Sequence, residues 1–245
     1  MAGRLEGKVA IITGAARGQG ADEARAFVAE GAKVVLTDVL PEVHSVAAEL
    51  GDAAVALDHD VTDEAQWGVV VKTALDRFGK LDVLVNNAGI FRPGTMLETT
   101  KEQFVAHTNV NQLGVFLGMK AAAPAMIANG SGSIVNIGSG AGQRGYPGIF
   151  AYLASKWAVT GMTKAVAREL APHKIRVNSV HPGLIATPMI AGPNDQAALA
   201  ELAATVPLGR TGITADVVEV VIHLASDKSS YSTGSEFTMD GGTGL

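Results

Sequence analysis

The chain has 245 residues, 47% of them apolar and 18% charged, with 29 glycines, no cysteine and a formal net charge of −5. That length can bury a large core, and α/β folds of this size often run as one unbroken domain. The acidic balance, with no lysine- or arginine-rich run, argues against a nucleic-acid or membrane surface, and the missing cysteines exclude disulfides and thiolate chemistry.

The opening MAGRLEGK is polar and lacks the apolar core of a signal peptide. KVAIIT (8–13) then reads as a buried strand, followed by the glycine-rich TGAARGQG, Thr13 to Gly20, and a helix over 18–30. KVVLTD (33–38) is a second strand ending on Asp38, a helix follows over 42–50, and AAVALD (53–58) is a third strand. A helix over 63–78 leads to LDVLVN (81–86), and a long helical run over 101–128 leads to GSIVNI (132–137). A helix over 151–171 and IRVNSV (175–180) continue the alternation, and a helix over 214–225 with SEFTMD (235–240) closes it. The strands are nearly continuous Val/Ile runs, as expected for strands covered on both faces. The βαβα rhythm predicts one α/β domain over 1–245, a doubly wound Rossmann fold with a parallel sheet of about seven strands and helices on both faces. Residues 187–212 fit the alternation least well and are expected to cover a substrate, because ligands of open α/β sheets bind at the carboxyl ends of the strands. No apolar stretch reaches the roughly 18 residues that span a bilayer, so a cytoplasmic protein is expected.

Glycines between a strand and a helix allow a tight turn and close backbone approach to a pyrophosphate, while the first helical N–H groups supply donors. The glycines here are Gly14, Gly18 and Gly20, which is not the G-x-G-x-x-G spacing, and Gln19 stands between the last two. Asp38 ends the second strand twenty residues after Gly18, where a carboxylate would bond the adenosine ribose and repel a 2′-phosphate. Arg17 pulls the other way, since a guanidinium can pair with that phosphate. The expected cofactor is therefore NAD(H), with NADP(H) as the lesser alternative.

YLASK places Tyr152 and Lys156 on one helix face. Ser139 follows the fifth strand, and Asn111 sits inside a helical run that disfavours it. A phenol can exchange a proton with a substrate oxygen, an ammonium beside it favours the phenolate, and a serine hydroxyl can hold the carbonyl oxygen. Asn111 could hold a water that links the lysine to solvent. Together these suit hydride transfer between an alcohol and a ketone. The six histidines show no i, i+4 pair and no cluster with carboxylates, so no metal is expected. His181 is expected to fix the turn before Pro182, and Trp67 and Trp157 to pack in a core or interface.

These residues and their order resemble the short-chain dehydrogenase/reductase family over the whole chain. Its T-G-x-x-x-G-x-G pattern matches Thr13–Gly20, NNAG matches Asn86–Gly89, D-V matches Asp60-Val61, and P-G matches Pro182-Gly183. The family tetrad falls on Asn111, Ser139, Tyr152 and Lys156. The resemblance implies cofactor contacts from Gly14, Arg17, Gly18, Gln19, Gly20, Asp38 and Val39, and from Asp60 and Val61 flanking the adenine. It also implies contacts from Asn87, Ala88, Gly89, Tyr152, Lys156, Pro182, Gly183, Ile185 and Thr187, and a homotetramer acting on a small-molecule alcohol or ketone. Phe91, Gln143, Tyr146, Phe150, Met189 and Ile190 would neighbour the substrate. SVHPGLIATPM, GVFLGMK and LASDKSSYSTG are most similar to bacterial 3α(or 20β)-hydroxysteroid dehydrogenase-like members. A 3-oxoacyl-(acyl-carrier-protein) reductase, which would want NADPH and a basic surface, is the alternative, and a non-catalytic dinucleotide-binding protein stands behind both. Two departures from the family pattern are Gln19, where Ile, Leu or Met is usual, and Gly138, where the first of two serines is usual.

Overall fold

The computed structural model describes residues 3–190 and 196–245. Seven parallel strands form one sheet in the order β3-β2-β1-β4-β5-β6-β7. They are β1 (Val9–Thr13), β2 (Lys33–Asp38), β3 (Ala54–Asp58), β4 (Val83–Asn86), β5 (Gly132–Ile137), β6 (Ile175–Pro182) and β7 (Glu236–Met239). The chain reverses its direction of travel across the sheet between β3 and β4, which flank the β2–β1 pair, and this opens a crevice at the carboxyl ends.

Successive strand residues face opposite sides, so each strand feeds two cores. Ala10 and Ile12 of β1 join α1 (Gly18–Ala29), α2 (Glu42–Leu50) and α8 (Thr214–Ala225) on one face. Val9 and Ile11 join α3 (Glu64–Phe78), α5 (Gly114–Asn129) and α6 (Phe150–Leu170) on the other. Phe27 and Trp67 are the largest fully buried side chains of the two layers, and the Trp67 indole N–H donates to the Val61 carbonyl at 3.0 Å. Trp157 instead is half exposed on α6.

Local chemistry sets the helix ends. The Asp63 carboxylate accepts from the Ala65 and Gln66 N–H groups to start α3, and Gly79 ends it in the left-handed conformation that glycine adopts without strain. Thr100 caps α4 (Lys101–His107) in the same way. The helical run expected over 101–128 is not uniform. Between α4 and α5 residues Thr108–Leu113 form a π-helical turn, a bulge that holds Asn111. Of the segment expected to cover the substrate, α7 (Gln196–Ala204) and the flanking residues are described, and 191–195 lie outside the described residues. No helix among the described residues is long and apolar enough to cross a membrane.

Candidate active site

A cavity of about 590 Å³ runs along the carboxyl edge of the sheet. Every residue expected to hold a dinucleotide lines it, as do Ser139, Tyr152 and Lys156. Asn111 stands behind the wall, fully buried.

The loop after β1 is built for close backbone approach. Gly14 and Gly18 adopt φ of +68° and +56°. A Cβ at Gly20 would lie 2.3 Å from the Gly14 carbonyl oxygen and 2.5 Å from the Asn87 amide. The Asn87 amide donates to the Thr13 and Gly14 carbonyls at 2.9 and 3.1 Å, while the Thr13 hydroxyl accepts from the Asn87 and Ala88 N–H groups. Asp38 braces the loop by accepting from the Ala16 and Leu40 N–H groups, each at 3.0 Å. This glycine cradle, a helix N-terminus and a carboxylate at the end of β2 fit a dinucleotide, with pyrophosphate at the loop and ribose at Asp38. His59 also faces the cavity, a residue the sequence reading placed in no role. Its Nδ1 meets the Thr37 hydroxyl at 3.0 Å, and burial pushes its pKa down to about 4, so the ring is neutral.

Gln19 has a partner inside the protein. Its amide donates to Glu23 Oε1 at 2.9 Å and to Asn87 Oδ1 at 3.3 Å. Glu23, one turn on, is fully buried, and its second oxygen has no partner among the described residues. Burial pushes its pKa up to about 8 despite the Gln19 bond. The polar residue at position 19 thus answers a buried carboxyl beneath the loop. The sequence carried one signal for this, because Glu23 lies four residues before Phe27 on the inward face of α1.

Lys156 Nζ is buried, donates to the Ile137 carbonyl at 2.8 Å and lies 5.7 Å from the Tyr152 ring centre. Burial pushes its pKa down to about 8. Burial also raises the Tyr152 phenol, with a hydrogen bond from Ser139 working the other way. The amide of Asn111 is held by protein partners. Its Oδ1 accepts from the Ile90 N–H at 2.8 Å, and its Nδ2 donates to the Ile90 carbonyl at 2.9 Å and to the Ser155 hydroxyl at 3.1 Å. Asn111 therefore ties the segment after NNAG to the tyrosine helix, and its side chain positions the site from behind.

His181 fixes the turn that carries Ser139. A carbonyl can only accept, so the contact of Nδ1 with the Ser139 carbonyl at 2.9 Å makes Nδ1 the protonated nitrogen. Nε2 then accepts from the Ser179 hydroxyl at 2.8 Å, and burial keeps the ring neutral by lowering its pKa. The same ring lies 2.8 Å from where a Cβ of residue 138 would stand, so the space of the usual serine is taken up by imidazole. Of the expected substrate neighbours, Phe91, Met189 and Ile190 line the cavity. Gln143 faces away and bonds Glu236 and Thr238, and Phe150 is exposed and packs on Phe104. Phe150 starts α6 two residues before Tyr152 and so presents a different side of the helix, and Gln143 follows the short turn Gly140–Gly142; sequence spacing alone does not resolve either direction.

A nucleotide-type crevice with Ser, Tyr and Lys on its wall defines the class. A family model described as Enoyl-(Acyl carrier protein) reductase matches residues 14–244. A 3-alpha-(or 20-beta)-hydroxysteroid dehydrogenase of Mycobacterium tuberculosis is 50% identical over 245 residues, covering 99% of this chain and 92% of that protein. A trans-4-hydroxycyclohexanecarboxylate dehydrogenase of Sinomonas cyclohexanicum is 45% identical, covering 98% and 93%. A 3-oxoacyl-(acyl-carrier-protein) reductase of Thermotoga maritima is 44% identical, covering 98% of each chain. The chain belongs to the short-chain dehydrogenase/reductase family and is an oxidoreductase of that family.

Proposed function

We propose that the protein interconverts a secondary alcohol and a ketone with NAD(H), acting as one domain in a cytoplasmic homotetramer. The observation that carries this reading is the convergence of Ser139, Tyr152 and Lys156 on the wall of the cavity that the glycine loop opens. When bound, the dinucleotide supplies a hydride acceptor or donor at the nicotinamide ring. Gly14, Gly18 and Gly20 give its pyrophosphate room, Asp38 takes the ribose hydroxyls, and Lys156, Ile185 and Thr187 stand at the nicotinamide end. In the oxidative direction the Tyr152 phenolate oxygen takes the hydroxyl proton as the carbinol carbon loses hydride, and in reduction the phenol returns it. Ser139 holds the substrate oxygen by hydrogen bonding. Lys156, cationic at neutral pH, favours the phenolate, and His181 and Asn111 keep these groups in place.

The mycobacterial relative supports a bulky hydroxysteroid-like substrate. The Thermotoga relative favours a second reading, 3-oxoacyl-(acyl-carrier-protein) reduction with NADPH, against which Asp38 and the acidic balance speak. Steroids, aryl ketones, small alcohols and a 3-oxoacyl thioester, assayed with both oxidised and both reduced dinucleotides, separate them. The reading expects turnover of secondary alcohols or ketones with NAD(H) preferred. Dinucleotide binding without turnover on any of them would overturn it in favour of a binding protein.

A further inference from the structure

The substrate half of the cavity carries a cation that proton transfer and the glycine loop do not use. Arg92 lines the cavity beside Ile90 and Phe91, and Phe91 stands edge-on to the Tyr152 ring with centroids 5.0 Å apart. The main chain of Arg92 is clamped by α4. Its N–H donates to His107 Nε2 at 3.1 Å, and its carbonyl accepts from the Gln103 amide at 3.4 Å. His107 is itself fixed, because its Nδ1–H donates to the Gln103 carbonyl at 2.8 Å. The segment is thus held against the residue that handles the proton.

The Arg92 side chain is exposed and forms no ion pair among the described residues. The acids that line the cavity among those residues are Asp38, which ends β2, and Asp60, which follows β3. Both lie on the flank of β1 opposite to β4, after which Arg92 comes. Its neighbour Phe91 is apolar, and Met189 and Ile190 add apolar surface to the same cavity. A guanidinium unopposed by acid in such a wall offers a planar, bidentate fork that matches a carboxylate.

We propose that Arg92 is a specificity-determining residue that selects a secondary alcohol bearing a carboxylate remote from its carbinol carbon. The inference rests on the alcohol–ketone reading above and narrows its substrate class. A pair formed equally in the bound substrate and the transition state lowers KM and leaves kcat in place.

The test compares kcat/KM for an acid and its methyl ester on two scaffolds, 3-hydroxycyclohexanecarboxylate and a 3α-hydroxysteroid with a side-chain carboxylate. A ratio measured on one enzyme sample does not depend on how much of it is folded. Wild type is expected to favour the acid on at least one scaffold by about 10- to 100-fold, the range of a hydrogen-bonded charge pair. Arg92→Gln should bring that ratio toward one through the KM of the acid, and Arg92→Lys should retain part of it. Equal use of acid and ester by wild type would overturn the inference. So would a ratio unmoved in Arg92→Gln, or a variant that raises the dinucleotide KM alone, which would assign the guanidinium to cofactor phosphate. Turnover of neutral ketones without either acid also overturns it while the alcohol–ketone reading stands. Failure of every alcohol and ketone removes that reading, and the inference falls with it.

Discussion

Asp38 and Tyr152 illustrate how much a single side chain decides. The Asp38 carboxylate ends β2 facing the cavity, where it would lie against any 2′-phosphate. Asp38→Ser removes that repulsion and leaves Arg17 on the same wall to pair with the phosphate. The expected result is a kcat/KM ratio shifted toward NADP by at least about tenfold, corresponding to roughly 1.4 kcal/mol, read from steady-state kinetics with both dinucleotides. An unchanged ratio would place cofactor choice elsewhere. Burial lowers Lys156 to about 8 and raises the Tyr152 phenol, so the phenol is protonated and the lysine charged at neutral pH. Alcohol oxidation, which needs the phenolate, should climb with pH above neutrality, while ketone reduction, which needs the phenol, should fall over the same range. Initial rates in both directions from about pH 6 to about 10 check this, and parallel profiles would contradict it.

At the scale of elements, the loop and α1 form one unit joined by the Gln19–Glu23–Asn87 bonds. In the fold the Glu23 carboxyl keeps its proton up to about 8, whereas in the unfolded chain it has lost it by about its ordinary 4.5. Between those values the native state binds more protons, so stability falls as pH rises through the window and is level below it. Glu23→Gln keeps a polar partner for Gln19 and removes the titration. Denaturant unfolding from about pH 5 to about 8 should show a decline in wild type, of order a few kcal/mol at most, that is absent in the variant. Gln19→Leu leaves the carboxyl without its donor and should cost about 1–3 kcal/mol of stability, with weaker dinucleotide binding. An unaltered denaturation midpoint and affinity would make the Gln19 side chain incidental. These bonds explain what was legible in the sequence and what was not. The strands and helices were readable because their Val/Ile runs and glycine punctuation are local. The π-helical turn at Asn111 and the Gln19–Glu23 pairing depend on how far a helix is rotated and on what lies opposite it. Asn111 announced itself as a misfit in a helix, but the direction of its amide, onto Ile90, is a tertiary fact.

The whole molecule divides the work between a sheet that is buried on both faces and a single carboxyl edge that gathers the chemistry. Its opposite demand is an outer surface with apolar residues to cover: Phe116 on α5 and Trp157 on α6 are each nearly half exposed. Such residues suit an interface between copies, so the homotetramer reading expects a mass near four chains of 25.1 kDa by light scattering. Trp157→Glu should lower that mass, and a monomeric wild type would remove the reading. In the proposed function, however, the cavity performs hydride exchange with Tyr152 carrying the proton. Tyr152→Phe deletes one hydroxyl at the cavity wall and leaves the glycine loop and Asp38 untouched. The deciding measurement is dinucleotide affinity by fluorescence titration together with turnover on the best alcohol of the panel, both on the same preparation. Affinity should stay within about threefold of wild type and kcat should fall by about 100-fold or more, the range of general acid–base catalysis. A variant that binds dinucleotide and keeps a near-normal kcat would contradict it.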